Sequence, residues 1–242
     1  REAASMYQGF FKWIETGRPY ITAKWAMSLD GKIATNTGQS KYISGEQSLH
    51  TVHQMRKETD AIMVGVQTVL SDDPLLTCRL PVGPDFQPLR IVLDTWARTP
   101  PNAVMLGDSN PGNTLVVVSD LTAPKQVDRL REAGADIFIL PASPRVCLSD
   151  VLDELGRRGI VNVLVEGGAT LLGAFFDAGL VDRIDVFIAP IILGGHKAPS
   201  PVAGEGLAKL ADAVKFGQLK VSQSGVDVHG STVLRTYGPS SS

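Results

Sequence analysis

The stretch Val161–Ala178 reads VNVLVEGGATLLGAFFDA, and the fold class follows from it. Val161–Val165 is a short apolar run, the pattern of a strand covered on both faces, and such strands belong to parallel sheets. Glu166-Gly167-Gly168 interrupts the run, and the apolar segment from Gly168 to about Ala178 reads as a helix. A strand feeding a helix through a glycine turn is half of a βαβ unit.

Outward from this unit the same alternation recurs. Upstream, Tyr20–Ser28 (YITAKWAMS) reads as a strand with Ile21, Ala23, Trp25 and Met27 on one face. Ala61–Gly65, Leu89–Leu93, Leu115–Ser119 and Asp136–Leu140 read as further short buried strands. Helices are expected from a Ser44/Gln47 capping box through about Glu58, and from about Ala123 to Ala133 with Gly134 closing it. A third is expected from a Ser149 cap to about Arg158, ahead of Gly159. Downstream, Arg183–Ile192 reads as a strand. Leu219–Ser224 and Ser231–Tyr237, flanking Gly225 and Gly230, read as an antiparallel hairpin. The expectation is an α/β domain: a mostly parallel central sheet, helices on both faces and a C-terminal antiparallel hairpin. Pro81–Pro88 and Lys197–Gly206 read as surface loops rather than domain boundaries.

The chain has 242 residues, 43% of them hydrophobic and 20% charged, which suits a folded domain and neither a disordered chain nor a membrane bundle. Net charge is 23 − 25 = −2, which disfavours nucleic acid as the main partner. Cys78 and Cys147 stand far apart with no C-x-x-C spacing, as in a chain from a reducing, cytoplasmic compartment. The apolar runs fall short of the roughly 18 residues a membrane helix needs, so no membrane partner is expected.

Several residues could carry chemistry. Gly168-Ala169-Thr170-Leu171 opens a helix, where free backbone N–H groups suit a phosphate. Glu166 closes the preceding strand, where open α/β sheets place ligand groups. Lys24 points away from the apolar face of its strand and needs a partner or a cleft. Thr68 and Asp72 follow a buried strand, and Asp73 before Pro74 serves a turn. Arg56 and Arg79 flank that strand and together would suit a phosphate. His50 and His53 have a ligand-like spacing, but no further Cys or His completes a site, so no metal is expected. Ser28-Leu29-Asp30-Gly31-Lys32 reads as a turn.

Taken in order, these pieces resemble a known family. Lys24–Ser44 (KWAMSLDGKIATNTGQSKYIS), Asp60–Arg79 (DAIMVGVQTVLSDDPLLTCR), Ile91–Thr95 (IVLDT), Val163–Ile184 and Ala189–Gly195 (APIILGG) are similar to the reductase domain of bifunctional riboflavin-biosynthesis deaminase–reductases. The likeness runs from about Arg18 to Tyr237, and Arg1–Pro19 is similar to the linker that follows the deaminase in bacterial members. The expected division is a linker-like segment over 1–17, a reductase domain over 18–238 and a tail over 239–242.

The resemblance implies a dihydrofolate-reductase-like fold, NADPH as cofactor and a homodimer. It further implies reduction of the ribosyl group of 5-amino-6-(5-phospho-D-ribosylamino)uracil to a ribityl chain. By the same likeness Ala26, Tyr42, Thr68, Asp72, Thr95 and the Gly168–Ala174 segment would line the cofactor. Ser40, Arg56, Leu76, Arg79 and Glu166 would contact the substrate. Tyr42 and Ser44 depart from the Trp and Thr usual in the family. Lys24, Asp72 and Glu166 are the ionisable groups expected around the reacting carbon, Lys24 or Asp72 handling the proton and Glu166 orienting the substrate. The competing expectations are a reductase of the corresponding diaminopyrimidine, a pterin or folate reductase, and a non-catalytic NADPH-binding module.

Overall fold

The structure is a computed structural model, and it describes residues 7–41, 43–80, 87–107, 113–141 and 146–238. Among these residues nine strands form one sheet in the order β5-β4-β3-β2-β6-β1-β7-β9-β8. They are β1 (Tyr20–Ser28), β2 (Ala61–Gly65), β3 (Leu89–Leu93), β4 (Thr114–Ser119) and β5 (Asp136–Leu140), then β6 (Asn162–Glu166), β7 (Arg183–Ala189), β8 (Lys220–Ser224) and β9 (Asp227–Val233). The first seven run parallel, while β9 pairs antiparallel with both β7 and β8. The expected mostly parallel sheet with an antiparallel C-terminal edge is therefore present.

Among the described residues six α-helices cover the sheet: α1 (Gln8–Thr16), α2 (Glu46–Lys57), α3 (Val66–Asp72), α4 (Pro124–Glu132), α5 (Leu148–Arg157) and α6 (Ala169–Asp177). On one face, Ile21, Ala23, Met63, Ile91, Val163 and Val165 pack against Leu152 and Leu155 of α5 and Leu172 and Phe175 of α6. On the other, Ile62, Val64, Val92, Val116 and Leu164 pack against Val69 of α3 and Val127 and Leu130 of α4. Phe175 is fully buried, and truncating such a residue to alanine costs about 3–5 kcal/mol. Among the described residues no helix is long and apolar enough to cross a membrane.

Four local expectations need correction. Ser44 does not cap α2. Gly45 holds the cap position in extended conformation, and Asp227 Oδ2, from the far hairpin, accepts from Gly45 N at 2.7 Å and Ser48 Oγ at 2.5 Å. A long-range carboxylate thus replaces the local box. Ser149 lies inside α5, which starts at Leu148 after Cys147. The hairpin turns tightly at Gly225-Val226, so Gly230 sits within β9, where its lack of a side chain accommodates Val186 and Leu219. β7 also ends at Ala189, because Pro190 follows it.

Residues 8–16, part of the segment expected as a linker, form α1. Its C-cap Gly17 takes the left-handed conformation at φ 71°. Lys12 on this helix is buried against Asp182 at 2.5 Å, which ties α1 to the domain.

The topology also fixes where a site can form. From β1 the chain passes to β2, continues outward to β5, and returns to lay β6 between β1 and β2. The carboxyl end of β6 therefore opens beside those of β1 and β2, at the switch in strand order where open α/β sheets bind ligands.

Candidate functional site

Lys24 on β1 and Glu166 on β6 are directly paired in register, so both side chains leave the same face of the sheet. The α2 helix covers that face and supplies Arg56. Its guanidinium donates from Nε to Glu166 Oε1 at 2.6 Å and from Nη2 to Oε2 at 3.0 Å, the two-pronged geometry that fits a carboxylate. Lys24 Nζ lies 3.5 Å from the same Oε2. Burial would push the Glu166 carboxyl up, but Arg56 and Lys24 outweigh it and hold it down to about 2. Burial lowers the Lys24 ammonium from its ordinary value, against the pull of Glu166. The group is a buried triad of two cations and one anion.

Arg56 also donates from Nη1 to the Thr77 carbonyl at 3.0 Å, which draws the 77–79 segment against α2. Arg79 is exposed, and its backbone N and its Nε each lie 3.3 Å from the His53 ring. The two arginines expected to share a phosphate are therefore used differently, Arg56 engaged by Glu166 and Arg79 held near the surface. His53, considered above only for its spacing to His50, belongs to this neighbourhood; its place depends on the return of the 77–79 loop, which no local pattern reveals. His50 contacts Gln54 instead.

A second group forms where the 35–40 loop meets the end of α3. Ser40 Oγ lies 3.1 and 3.2 Å from the two carboxylate oxygens of Asp72, beside a cleft of about 480 Å³. Asp72 is thus placed with Ser40, in a group separate from the Lys24 triad. Leu76 is 4% exposed, packed in the core beside α3, and its φ of 52° is left-handed. Such backbone strain is most often found at functional sites.

The third group is the turn after β6. Gly167 and Gly168 have φ of 83° and 81°, and a Cβ on Gly168 would stand 3.4 Å from Thr68 Oγ1. Only glycine meets both conditions without strain. No side chain caps α6, so the first-turn amides of Ala169, Thr170 and Leu171 are open to an anion. Ala26, on the Lys24 face of β1, and Thr95, beyond β3, complete the same edge of the sheet; the Thr95 carbonyl accepts from Ser119 N and Thr122 Oγ1. Tyr42 lies outside the described residues.

The turn after β1 closes the rim. Ser28 Oγ donates to Asp30 Oδ1 at 2.6 Å, and the Leu193 and Gly194 amides donate to Asp30 as well. These bonds, the Ser28 hydroxyl first, hold the Asp30 carboxyl down to about 2 and fasten the loop beyond β7 to the SLDG turn.

Comparison with known proteins gives a consistent result. The chain is 46% identical over 200 residues to the 2,5-diamino-6-ribosylamino-4(3H)-pyrimidinone 5′-phosphate reductase of Methanothermobacter thermautotrophicus, covering 82% of this chain and 90% of that protein. It is 39% identical over 222 residues to the riboflavin biosynthesis protein RibD of Actinobacillus pleuropneumoniae, covering 90% of this chain but 58% of that one. The solved structure of Acinetobacter baumannii RibD superposes with a TM-score of 0.80 at 31% identity, over 96% of this chain and 62% of that chain. The chain thus spans about three fifths of the bacterial proteins and nearly all of the archaeal one. Residues 19–230 match the family described as the RibD C-terminal domain, and the chain belongs to that family.

Proposed function

We propose that this chain catalyses the NADPH-dependent reduction of the ribosyl group of 5-amino-6-(5-phospho-D-ribosylamino)uracil to the ribitylamino product, a step of riboflavin biosynthesis. The observation that carries the reading is the buried Lys24–Glu166–Arg56 triad beside the Gly167-Gly168 turn, in a chain similar throughout to reductases of this pathway.

The side-chain-free approach at Gly168 and the open amides of α6 fit a dinucleotide phosphate, with Thr68, Asp72, Thr95 and Ala26 along the same edge. When bound, NADPH supplies a hydride to C1′ of the opened sugar. Opening the ribose breaks the C1′–O4′ bond, moves the proton of the glycosidic nitrogen to O4′ and leaves C1′ electrophilic as an imine. Reduction then requires a proton at that nitrogen. Lys24 supports this role, because burial lowers its ammonium and eases proton release, while Glu166 holds it in place. Glu166 and Arg56 orient the substrate, Arg79 takes its 5′-phosphate, and Asp72 with Ser40 closes the cofactor side. The site as a whole carries an excess of positive charge, which suits a phosphorylated substrate.

The chain works as a homodimer on this reading. β8 leaves its outer edge unpaired among the described residues, and Phe216, Leu219 and Val221 near it are exposed. Light scattering that finds only monomers at micromolar concentration would remove this element.

The archaeal relative favours a second reading, in which the diaminopyrimidine ribosyl phosphate is the substrate. NADPH oxidation with each substrate offered separately distinguishes them: faster turnover of the aminouracil is expected, and preference for the diaminopyrimidine reverses the assignment. Lys24→Met is expected to lower kcat by roughly 10²–10⁴-fold. If Lys24→Met, Asp72→Asn and Glu166→Gln all turned over at near wild-type rates, the proposed chemistry would be wrong.

A further inference from the structure

We propose that His53 is a positioning residue for substrate binding: its imidazole accepts a hydrogen bond from Arg79 and so holds that exposed guanidinium where it can grip a phosphate monoester. This inference rests on the reading above that Arg79 takes the 5′-phosphate.

The argument starts from helix geometry. His53 and Arg56 are three residues apart on α2 and therefore share a face. Arg56 turns inward to Glu166, whereas His53, half-buried, meets the returning 77–79 segment. Two Arg79 donors converge on its ring, the backbone N at 3.3 Å from Nδ1 and Nε at 3.3 Å from Nε2. A neutral imidazole has one acceptor nitrogen, so it takes one of these bonds at a time, and a protonated ring takes neither. The segment is anchored from two further directions: Arg56 Nη1 donates to the Thr77 carbonyl at 3.0 Å, and Cys78 Sγ donates to the His53 carbonyl at 3.4 Å.

An exposed arginine otherwise samples many rotamers, and ordering it on ligand binding costs affinity. A bond from Nε fixes the plane of the guanidinium and leaves its two Nη groups for a ligand. His53 thus acts through Arg79 and needs no contact with the substrate itself.

The charges around the ring keep it an acceptor. It faces Arg56 on its own helix, Arg79 on the returning segment, and Glu166 on β6 beyond Arg56. Burial first, then the two arginines, lower the imidazole from its ordinary value; Glu166 and a bond to the Thr77 backbone oppose them without reversing the shift. At neutral pH His53 is uncharged. Acidification protonates it, removes the acceptor and sets a third positive charge against the arginines.

The test measures KM and kcat for wild-type protein, His53→Ala, His53→Gln and Arg79→Gln, with the 5′-phosphorylated substrate and its unphosphorylated counterpart. His53→Ala is expected to raise KM for the phosphorylated substrate about three- to tenfold, with the effect on KM rather than kcat and far smaller on the unphosphorylated one. Arg79→Gln should do the same or more. His53→Gln keeps an acceptor and should restore KM at neutral pH, while losing the additional rise in KM that the wild type shows on acidification. The substrate phosphate also titrates near pH 6, but identically in both proteins, so the difference between the two profiles isolates the ring. An Arg79→Gln protein with unchanged KM would remove the phosphate-site reading itself. An effect at Arg79 with none at His53, or a His53→Ala protein weakened equally on both substrates, would leave that reading standing and overturn the positioning role.

Discussion

Two buried lysine–carboxylate pairs sit along β1, one at its amino end and one at its middle, and they are built to opposite purposes. At the amino end, Asp182 is fully buried and accepts at short range on both oxygens: Lys12 Nζ at 2.5 Å and Ile21 N at 2.7 Å on Oδ2, and Tyr237 Oη at 2.7 Å on Oδ1. One cation meets one anion, and three distant segments are joined. At mid-strand, beside the carboxyl end of β6, Glu166 faces two cations, Arg56 in close two-pronged contact and Lys24 at 3.5 Å. Here one positive charge is left over, and the looser ammonium keeps donors for another group. A saturated neutral pair rigidifies, whereas an unsaturated one with excess charge can bind and react.

The most severe test of this contrast is Asp182→Ala. It strands a buried ammonium and removes the joint between α1, β1 and the C-terminal segment. Breaking a buried pair from one side costs about 3–5 kcal/mol, or on the order of 10 °C in a domain of this size. A melting temperature within about 2 °C of wild type would show that the amino-end pair holds little together.

The acid limb of stability is the next test and concerns the other pair. Glu166 has its carboxyl at about 2 in the folded chain against an ordinary 4.5. A depressed carboxylate contributes stability that is fully present above the unfolded value and is lost as pH falls toward the folded one. Wild-type protein should therefore lose about 2–3 kcal/mol between roughly pH 5 and pH 2 through this group. Glu166→Gln should be less stable at neutral pH and show a shallower acid slope. Parallel slopes for the two proteins would mean that Glu166 is not ion-paired in solution.

How much of this was legible in the sequence differs by element. The strands were, because a parallel strand covered on both faces must be a continuous apolar run, as in Ala61–Gly65 and Val163–Val165. Caps set by tertiary contacts were not: Asp227 reaches Gly45 and Ser48 from a distant hairpin and displaces the local Ser44 box. Helix α1 was hidden for another reason. It buries Gly9 and Lys12 while exposing Phe10 and Ile14, so its apolar residues do not mark its inner face. At the site, Lys24 and Glu166 could be singled out as ionisable residues on buried strands, and their pairing needed only the strand order. The use of Arg56 by Glu166, and the meeting of His53 with Arg79, depend on how α2 and the 77–79 segment cross that face, which local pattern does not encode.

The mildest substitution gives the sharpest separation of the two pairs. Tyr237→Phe keeps the ring that packs edge-on against Tyr20 with centroids 6.2 Å apart, and removes only the hydroxyl that donates to Asp182 Oδ1. Asp182 keeps Lys12 and the Ile21 amide on its other oxygen, so the carboxylate is not stranded. The main loss is that of a hydrogen bond to a charged acceptor, about 1.5–3 kcal/mol, and a fall of about 3–10 °C in melting temperature follows. The Lys24 triad sits at the middle of β1, four residues beyond Tyr20, and shares no side-chain partner with Asp182, so kcat and KM should stay at wild-type values. A Tyr237→Phe protein that melts normally would show that Asp182 does not need its third donor. One that melts as expected but turns over more slowly would show that the two pairs are coupled through the strand, and the division between a structural pair and a reactive pair would have to be given up.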